Sequence, residues 1–269
     1  MVYSPTKMSN FSLKIALSSA IFILSSHSYT SVAGNSSYIT LSNQMARKNQ
    51  LHIVTNNIAN TKTIGYESDN VLLKNMDQKQ SSKRSNSFVY IEGSYKNENS
   101  GPLKLTNRDL DLAISGIGYF KILTPRGYRY TLNGAIFLNS DKMLVNSDNM
   151  PFSSRDNQPI LLPPDSIDVK VSEDGIVYAD NEEIDIIGVF TFATNNQLVK
   201  EGNSLYNSKE ADILMDEFTI ISGALRESNV SSTKSLAEML ELQRSSAMTS
   251  NLMSDLADLE KSIITKVAK

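Results

Sequence analysis

The sequence contains no cysteine and no tryptophan, and only two of its 269 residues are histidine. The absence of cysteine removes disulfides, thiolate metal sites and thiol nucleophiles together. His27 lies in a leader-like start, which leaves His52 as the single imidazole of the main body. No carboxylate or second histidine stands near His52 in sequence, so it reads as a surface or packing residue and not as a catalytic group or metal ligand. Charge of either sign is also scarce in excess: 26 basic residues oppose 29 acidic ones, a net charge of −3. No global field draws the chain to nucleic acid. The longest apolar stretch, Ile15 to Leu24, is too short to cross a bilayer.

Groups that carry chemistry are missing in the patterns chemistry requires. The acidic pairs Asp109/Asp111, Glu173/Asp174 and Glu182/Glu183 lack the spaced carboxylates of a calcium loop and read as solvated charges at strand ends. Gly116-Ile117-Gly118 opens like a dinucleotide loop, but the third glycine is absent and a strand follows where helix amides would have to cradle phosphate. These glycines fit a tight turn or bulge. One usable histidine and no nucleophile elbow exclude a Ser-His-Asp site. The sequence therefore points to no enzyme, no catalytic residue, no cofactor, no metal and no small-molecule substrate.

With 40% hydrophobic and 20% charged residues, the chain can bury a core. Residues 1–35 form a leader-like extension: Lys7 and Lys14 precede the apolar stretch, and Ser31-Val32-Ala33 offers a cleavage site near Ala33. An uncleaved extension or a misassigned start is the alternative. Residues 36–66 read as an amphipathic helix carrying Leu41, Met45, Leu51, Val54 and Ile58, ended by an Asn-rich turn. Residues 67–222 read as an antiparallel β domain, with a polar connection at about 74–100 holding one short strand, Phe88 to Ile91. Its strands are Leu110 to Ile114, Tyr119 to Leu123, Tyr128 to Leu132, Ala135 to Leu138, Ile167 to Val171 and Ile187 to Phe192. Pro125-Arg126-Gly127 and Asn133-Gly134 supply turns between them.

Residues 223–269 hold a second, longer amphipathic helix. It has no glycine or proline from Ser232 onward, and Leu252, Leu256, Leu259, Ile263 and Val267 recur at steps of 4, 3, 4 and 4. The expected fold is α+β, a mainly antiparallel β domain inserted between terminal helices that pair as a coiled coil. The remaining apolar edge would be covered either by further subunits or by the β domain itself.

Three segments, in order, carry a family resemblance. Asn56-Asn57-Ile58-Ala59-Asn60-Thr61-Lys62-Thr63-Ile64-Gly65-Tyr66 resembles the N-terminal signature of flagellar rod and hook proteins. Leu110 to Phe120 and Tyr130-Thr131-Leu132-Asn133-Gly134 are similar to their central motifs. Glu227-Ser228-Asn229-Val230, Glu238-Met239-Leu240 and Gln243-Arg244 are similar to their C-terminal signature. Ile187 to Phe190, Glu201 to Tyr206 and the length look most like proximal-rod members, with distal-rod members next. The chain departs from the pattern in Leu132 for Arg, in Ser245-Ser246 for Ala-Tyr, and in Lys142 and Asn149 at turn-glycine positions. Lysine is strained in left-handed backbone, so that turn is expected to have changed shape.

The resemblance implies a structural subunit of the basal-body rod, a periplasm-spanning part of the bacterial flagellum required for motility. Its partners would be copies of itself, other flagellar rod proteins and the flagellar export apparatus. Assembly would rest on Asn56, Asn57, Ala59, Asn60, Thr63, Gly65 and Tyr66, on Asn229, Val230, Gln243 and Arg244, and on a helical seam of Leu252, Leu256, Leu259 and Ile263. A distal-rod or hook-type axial protein is the alternative within the family. Outside it, the leader and the Ser/Asn-rich loops suit a secreted β-rich surface or adhesion protein.

Overall fold

The computed structural model describes residues 40–79, 85–96, 99–193 and 198–267. The leader-like segment and the expected cleavage site near Ala33 lie outside them. The described chain forms two compact units, one within residues 1–51, 72–93 and 241–269, the other comprising residues 52–71 and 94–240.

The first unit holds the start of a helix, α1 (residues 40–59), and the end of a long helix, α2 (Ser232–Val267). It also holds most of a two-stranded sheet, β1 (Asp69–Lys79) with β2 (Ser85–Lys96). Polar composition suggests an exposed connection with one short strand here. Instead the main chain is satisfied by strand pairing, which composition does not encode and which poor β-formers accept when a neighbouring strand lies in register.

The expected coiled coil is not formed: the fold is mainly antiparallel β with one long C-terminal helix and a short N-terminal one. Within the first unit Gln44 Nε2 donates to Ser250 Oγ at 3.3 Å, a polar contact. Leu41 and Met45 on α1 are exposed, as are Leu252, Leu256, Leu259 and Ile263 on α2. A coiled coil requires both helices to bury an apolar seam that repeats every 3.5 residues. In α1 the spacing slips to six residues between Met45 and Leu51, so the knobs of α2 meet no matching holes.

The second unit is built on a six-stranded antiparallel sheet. Its centre is the hairpin β5 (Tyr119–Thr124) and β6 (Gly127–Thr131). Thr124 Oγ1 donates to Gly127 O at 2.6 Å and closes the turn. β12 (Val189–Thr191) flanks β5, and β14 (Leu205–Asn207) flanks β6. Alternation along these strands feeds two cores. Phe120, Ile122 and Val189 enter the larger one with Phe152, Ile160 and Ile187. Tyr119, Tyr130 and Phe190 enter the other with Phe192, Leu198 and Tyr206. A sheet buried on both faces explains why its strands read as short continuous apolar runs.

Two shorter pairings join residues 103–115 to residues 219–226. β4 (Leu112–Ser115) pairs with β16 (Thr219–Ser222), and β3 (Leu103–Leu105) with β17 (Ala224–Arg226), both antiparallel. Lys142 adopts φ 58 and Asn149 φ 60, so both positions keep the left-handed backbone that glycine would favour. The tight turns here tolerate the Cβ, and Asn139 holds the first of them by accepting from Asp141 N and Met143 N at 3.0 and 2.9 Å.

Candidate functional site: the joint where the signature segments meet

The joint described here lies within the second unit. Helix α1 ends where Asn side chains outcompete the helix for its own main chain. Asn60 N reaches Asn56 O at 3.1 Å, and Asn60 Nδ2 bonds Asn56 Oδ1 at 2.7 Å. Thr61 Oγ1 donates to Ile58 O at 2.8 Å, and Thr63 Oγ1 to Asn60 Oδ1 at 3.1 Å. Thr61 thereby takes up a main-chain carbonyl at the end of the helix, and Asn60 Nδ2 also reaches Asn56 O at 2.9 Å.

The chain then reverses at Gly65, whose φ is 68. A Cβ there would lie 2.6 Å from Leu132 C and 2.7 Å from Asn133 N, so only glycine lets the turn close on the main chain that follows β6. Gly65 N donates to Arg226 O at 2.8 Å, tying the turn to β17.

Asn57 is the organising side chain. Its Oδ1 accepts from Tyr66 Oη at 3.0 Å and from Asp69 N at 3.1 Å, while its Nδ2 donates to Asp69 O at 2.9 Å. Asn57 and Tyr66 are both buried. Asn229 makes the matching contacts from the C-terminal side: its Oδ1 accepts from Ser68 N at 2.7 Å, its Nδ2 donates to Asn99 O at 2.7 Å, and its main-chain N reaches Tyr66 O at 3.3 Å.

Charge reinforces the joint. Lys200 Nζ lies 2.8 Å from an Asp69 carboxylate oxygen and 4.3 Å from the Tyr66 ring centre. Burial, helped by the Asp69 charge, pushes the Tyr66 hydroxyl up to about 12, so it remains a donor to Asn57. Arg226 is buried and donates to Ser100 Oγ at 2.7 Å, to Gly116 O at 3.0 Å and to Ile114 O. Burial pulls its guanidinium below the usual range.

The structure thus brings Asn57, Asn60, Thr63, Gly65, Tyr66 and Asn229 into one hydrogen-bonded joint, with Asn56 bonded at its edge and Val230 beside it. Ala59 is exposed next to the turn. Gln243, Arg244, Leu252, Leu256, Leu259 and Ile263 are not part of it; they lie exposed along α2 in the first unit. Asp69, Lys200 and Arg226 were not singled out from the sequence. For Arg226 a signal existed, a charged residue ending the short apolar run of β17, three positions before Asn229. None existed for Asp69 or Lys200, which reach the joint only through folding.

A groove of about 490 Å³ opens beside the turn, lined by Thr61, Lys62, Ile64, Lys104, Thr106, Leu225 and Glu227. His52 is exposed on α1. No group of three or more His, Asp or Glu able to hold a metal occurs among the described residues. What the joint does is hold three distant stretches of chain in fixed register.

A family model described as the flagellar hook protein FlgE/F/G D1 domain matches residues 113–179, and one described as the flagellar basal body rod FlgEFG protein C-terminal matches residues 221–266. The flagellar basal-body rod protein FlgF of Caulobacter vibrioides is 30% identical over 241 residues, covering 87% of this chain and 98% of the relative. FlgF of Mesorhizobium japonicum is 28% identical over 226 residues, covering 81% and 92%. FlgG of Bacillus subtilis is 31% identical over 235 residues, covering 77% and 89%.

Proposed function

Because the chain belongs to the flagellar basal-body rod protein family, as a structural subunit and not an enzyme, we propose that it takes a proximal place in the rod and assembles there with copies of itself and other rod proteins. The observation that carries this reading is the exposed apolar stripe of α2, Leu252, Leu256, Leu259 and Ile263. Fully burying one such side chain is worth about 1.5–3 kcal/mol, so four left in water give a strong incentive for association. Similarity to FlgF relatives along nearly their whole length supports the proximal position. The 31% identity to FlgG of Bacillus subtilis favours a distal position as the second reading.

In this reading the joint around Asn57 and Asn229 sets the register of the segments that enter and leave the β domain, and the exposed residues Ala59, Gln243 and Arg244 face neighbours. The chain is delivered by the flagellar export apparatus. Leu256→Asp tests the assembly surface. The purified variant keeps its fold, because Leu256 is exposed, and loses sedimentable assemblies; assembly at the level of the unaltered protein would sink this surface. Mass spectrometry of the N-terminus in a basal-body fraction tests the route. An intact start is expected, whereas cleavage after Ala33 would argue for a different export path.

A further inference from the structure

Two open surfaces of this chain complement each other. The groove beside the signature turn has an apolar floor of Ile64 and Leu225, and its charged members are Lys62, Lys104 and Glu227. Lys104 and Glu227 are 3.4 Å apart and both well exposed, so two lysines face one glutamate and the groove is net basic. Thr106 also lines it, and among the described residues its buried hydroxyl has no hydrogen-bond partner, a vacancy that an entering polar group would fill.

On α2, Leu252, Leu256 and Leu259 fall on one stripe, and all three are exposed. Asp255 and Asp258, each one residue before a leucine, sit one turn apart and make an acidic edge along that stripe. Apolar floor faces leucine, and basic rim faces acidic edge. A contact between α2 of one molecule and the groove of another joins unlike surfaces. Such a heterologous contact does not have to close and can propagate as an open helical array, which suits a rod subunit.

We propose that the groove receives the Leu252–Leu259 stretch of α2 from a second copy of this chain. The inference rests on the reading of the chain as a self-assembling rod subunit and adds the site at which one copy holds the next.

Cysteine cross-linking tests it without background, because the chain has no cysteine of its own. Full-length Glu227→Cys and Leu256→Cys proteins are prepared separately, mixed and oxidised, so any disulfide between them joins two molecules. Removing Glu227 also removes the one acid of the groove and favours docking. The mixed product is expected in at least about tenfold excess over that formed by Leu256→Cys with Ile167→Cys, a control on a residue that is 92% exposed away from the groove. Adding Asp255→Lys and Asp258→Lys to the Leu256→Cys chain abolishes the excess, and Lys62→Glu with Lys104→Glu in the Glu227→Cys chain restores it. If Leu256→Cys links to itself but not to Glu227→Cys, the groove is wrong while α2 remains an assembly surface. If neither product forms, both the groove and the assembly reading are overturned.

Discussion

Tyr66 donates its hydroxyl to Asn57 Oδ1 at 3.0 Å across the turn that ends helix α1, and the same oxygen accepts the main-chain amide of Asp69 at 3.1 Å. One amide side chain thereby fixes both the aromatic ring that follows the turn and the first residue of β1. The N-terminal signature of the family is, in this chain, a device for internal register. Its most buried polar member works inside the molecule, while the exposed apolar stripe of Leu252, Leu256, Leu259 and Ile263 lies on α2.

Asn57→Ala strands the buried Tyr66 hydroxyl and the half-buried amide and carbonyl of Asp69. Each abandoned group costs about 1–3 kcal/mol, softened where water enters, so a total loss of about 3 kcal/mol is expected in urea unfolding. Tyr66→Phe removes the donor alone and leaves Asn57 Oδ1 still bonded to Asp69 N, for about 1 kcal/mol. Equal losses in the two variants would show that Asn57 is not the organising side chain.

Alkali attacks the same joint. The Tyr66 hydroxyl is raised from 10.0 to about 12 in the folded protein, first by burial and then by the Asp69 carboxylate. A group that holds its proton more tightly when folded gives its full stabilisation below the unfolded value of 10.0. That contribution is lost as pH rises toward 12. Burial raises Tyr130 and Tyr206 as well, so their contributions fall in the same direction. Thermal midpoints should be flat below pH 10 and fall beyond it, with Tyr66→Phe falling less steeply than the parent.

Backbone strain separates two positions of similar φ. Gly65→Ala places a Cβ 2.6 Å from the main chain of Leu132 at φ 68, and a loss of about 2–3 kcal/mol is expected because backbone cannot swing aside. Lys142 already carries a side chain at φ 58, and its Nζ donates to Ser166 O at 3.0 Å. Lys142→Ala loses that bond and keeps the strain, whereas Lys142→Gly loses the bond and relieves the strain. The glycine variant should therefore be the more stable of the two by about 1 kcal/mol, measured by chemical denaturation.

What could be read from the sequence follows the range of the forces involved. The end of α1 at Asn56, Asn57 and Asn60, the hairpin turn at Pro125-Arg126-Gly127 and the strands around Tyr119 and Tyr128 were legible, because local hydrogen bonding and turn chemistry write them into adjacent residues. The pairing of β1 with β2 was not, since a Ser/Asn/Lys-rich strand exists only by virtue of its neighbour. The spacing of Leu252, Leu256, Leu259 and Ile263 suggests a coiled coil that the structure does not form. A stripe at helical spacing states that a helix has something to bury, without stating against what. Arg226, Lys200 and Asp69 escaped because their roles depend on stretches more than a hundred residues apart arriving at one place.

Lys121 gives the sharpest energetic test of the β domain that holds this joint. It is buried on β5, with its Nζ 2.5 Å from an Asp212 carboxylate oxygen and 2.6 Å from Asn157 Oδ1. The rings of Tyr128 and Phe190 lie 4.4 and 4.6 Å from the same nitrogen. Lys121→Met preserves the bulk and removes the charge, leaving the carboxylate of Asp212 partly buried and unpaired, at an expected cost of about 3 kcal/mol. Lys121→Met with Asp212→Asn removes both charges together, and it should recover at least about 1 kcal/mol of that loss. Additive losses in the double variant would mean that the two charges do not stabilise one another, and that Asn157 and the aromatic rings hold the ammonium in place.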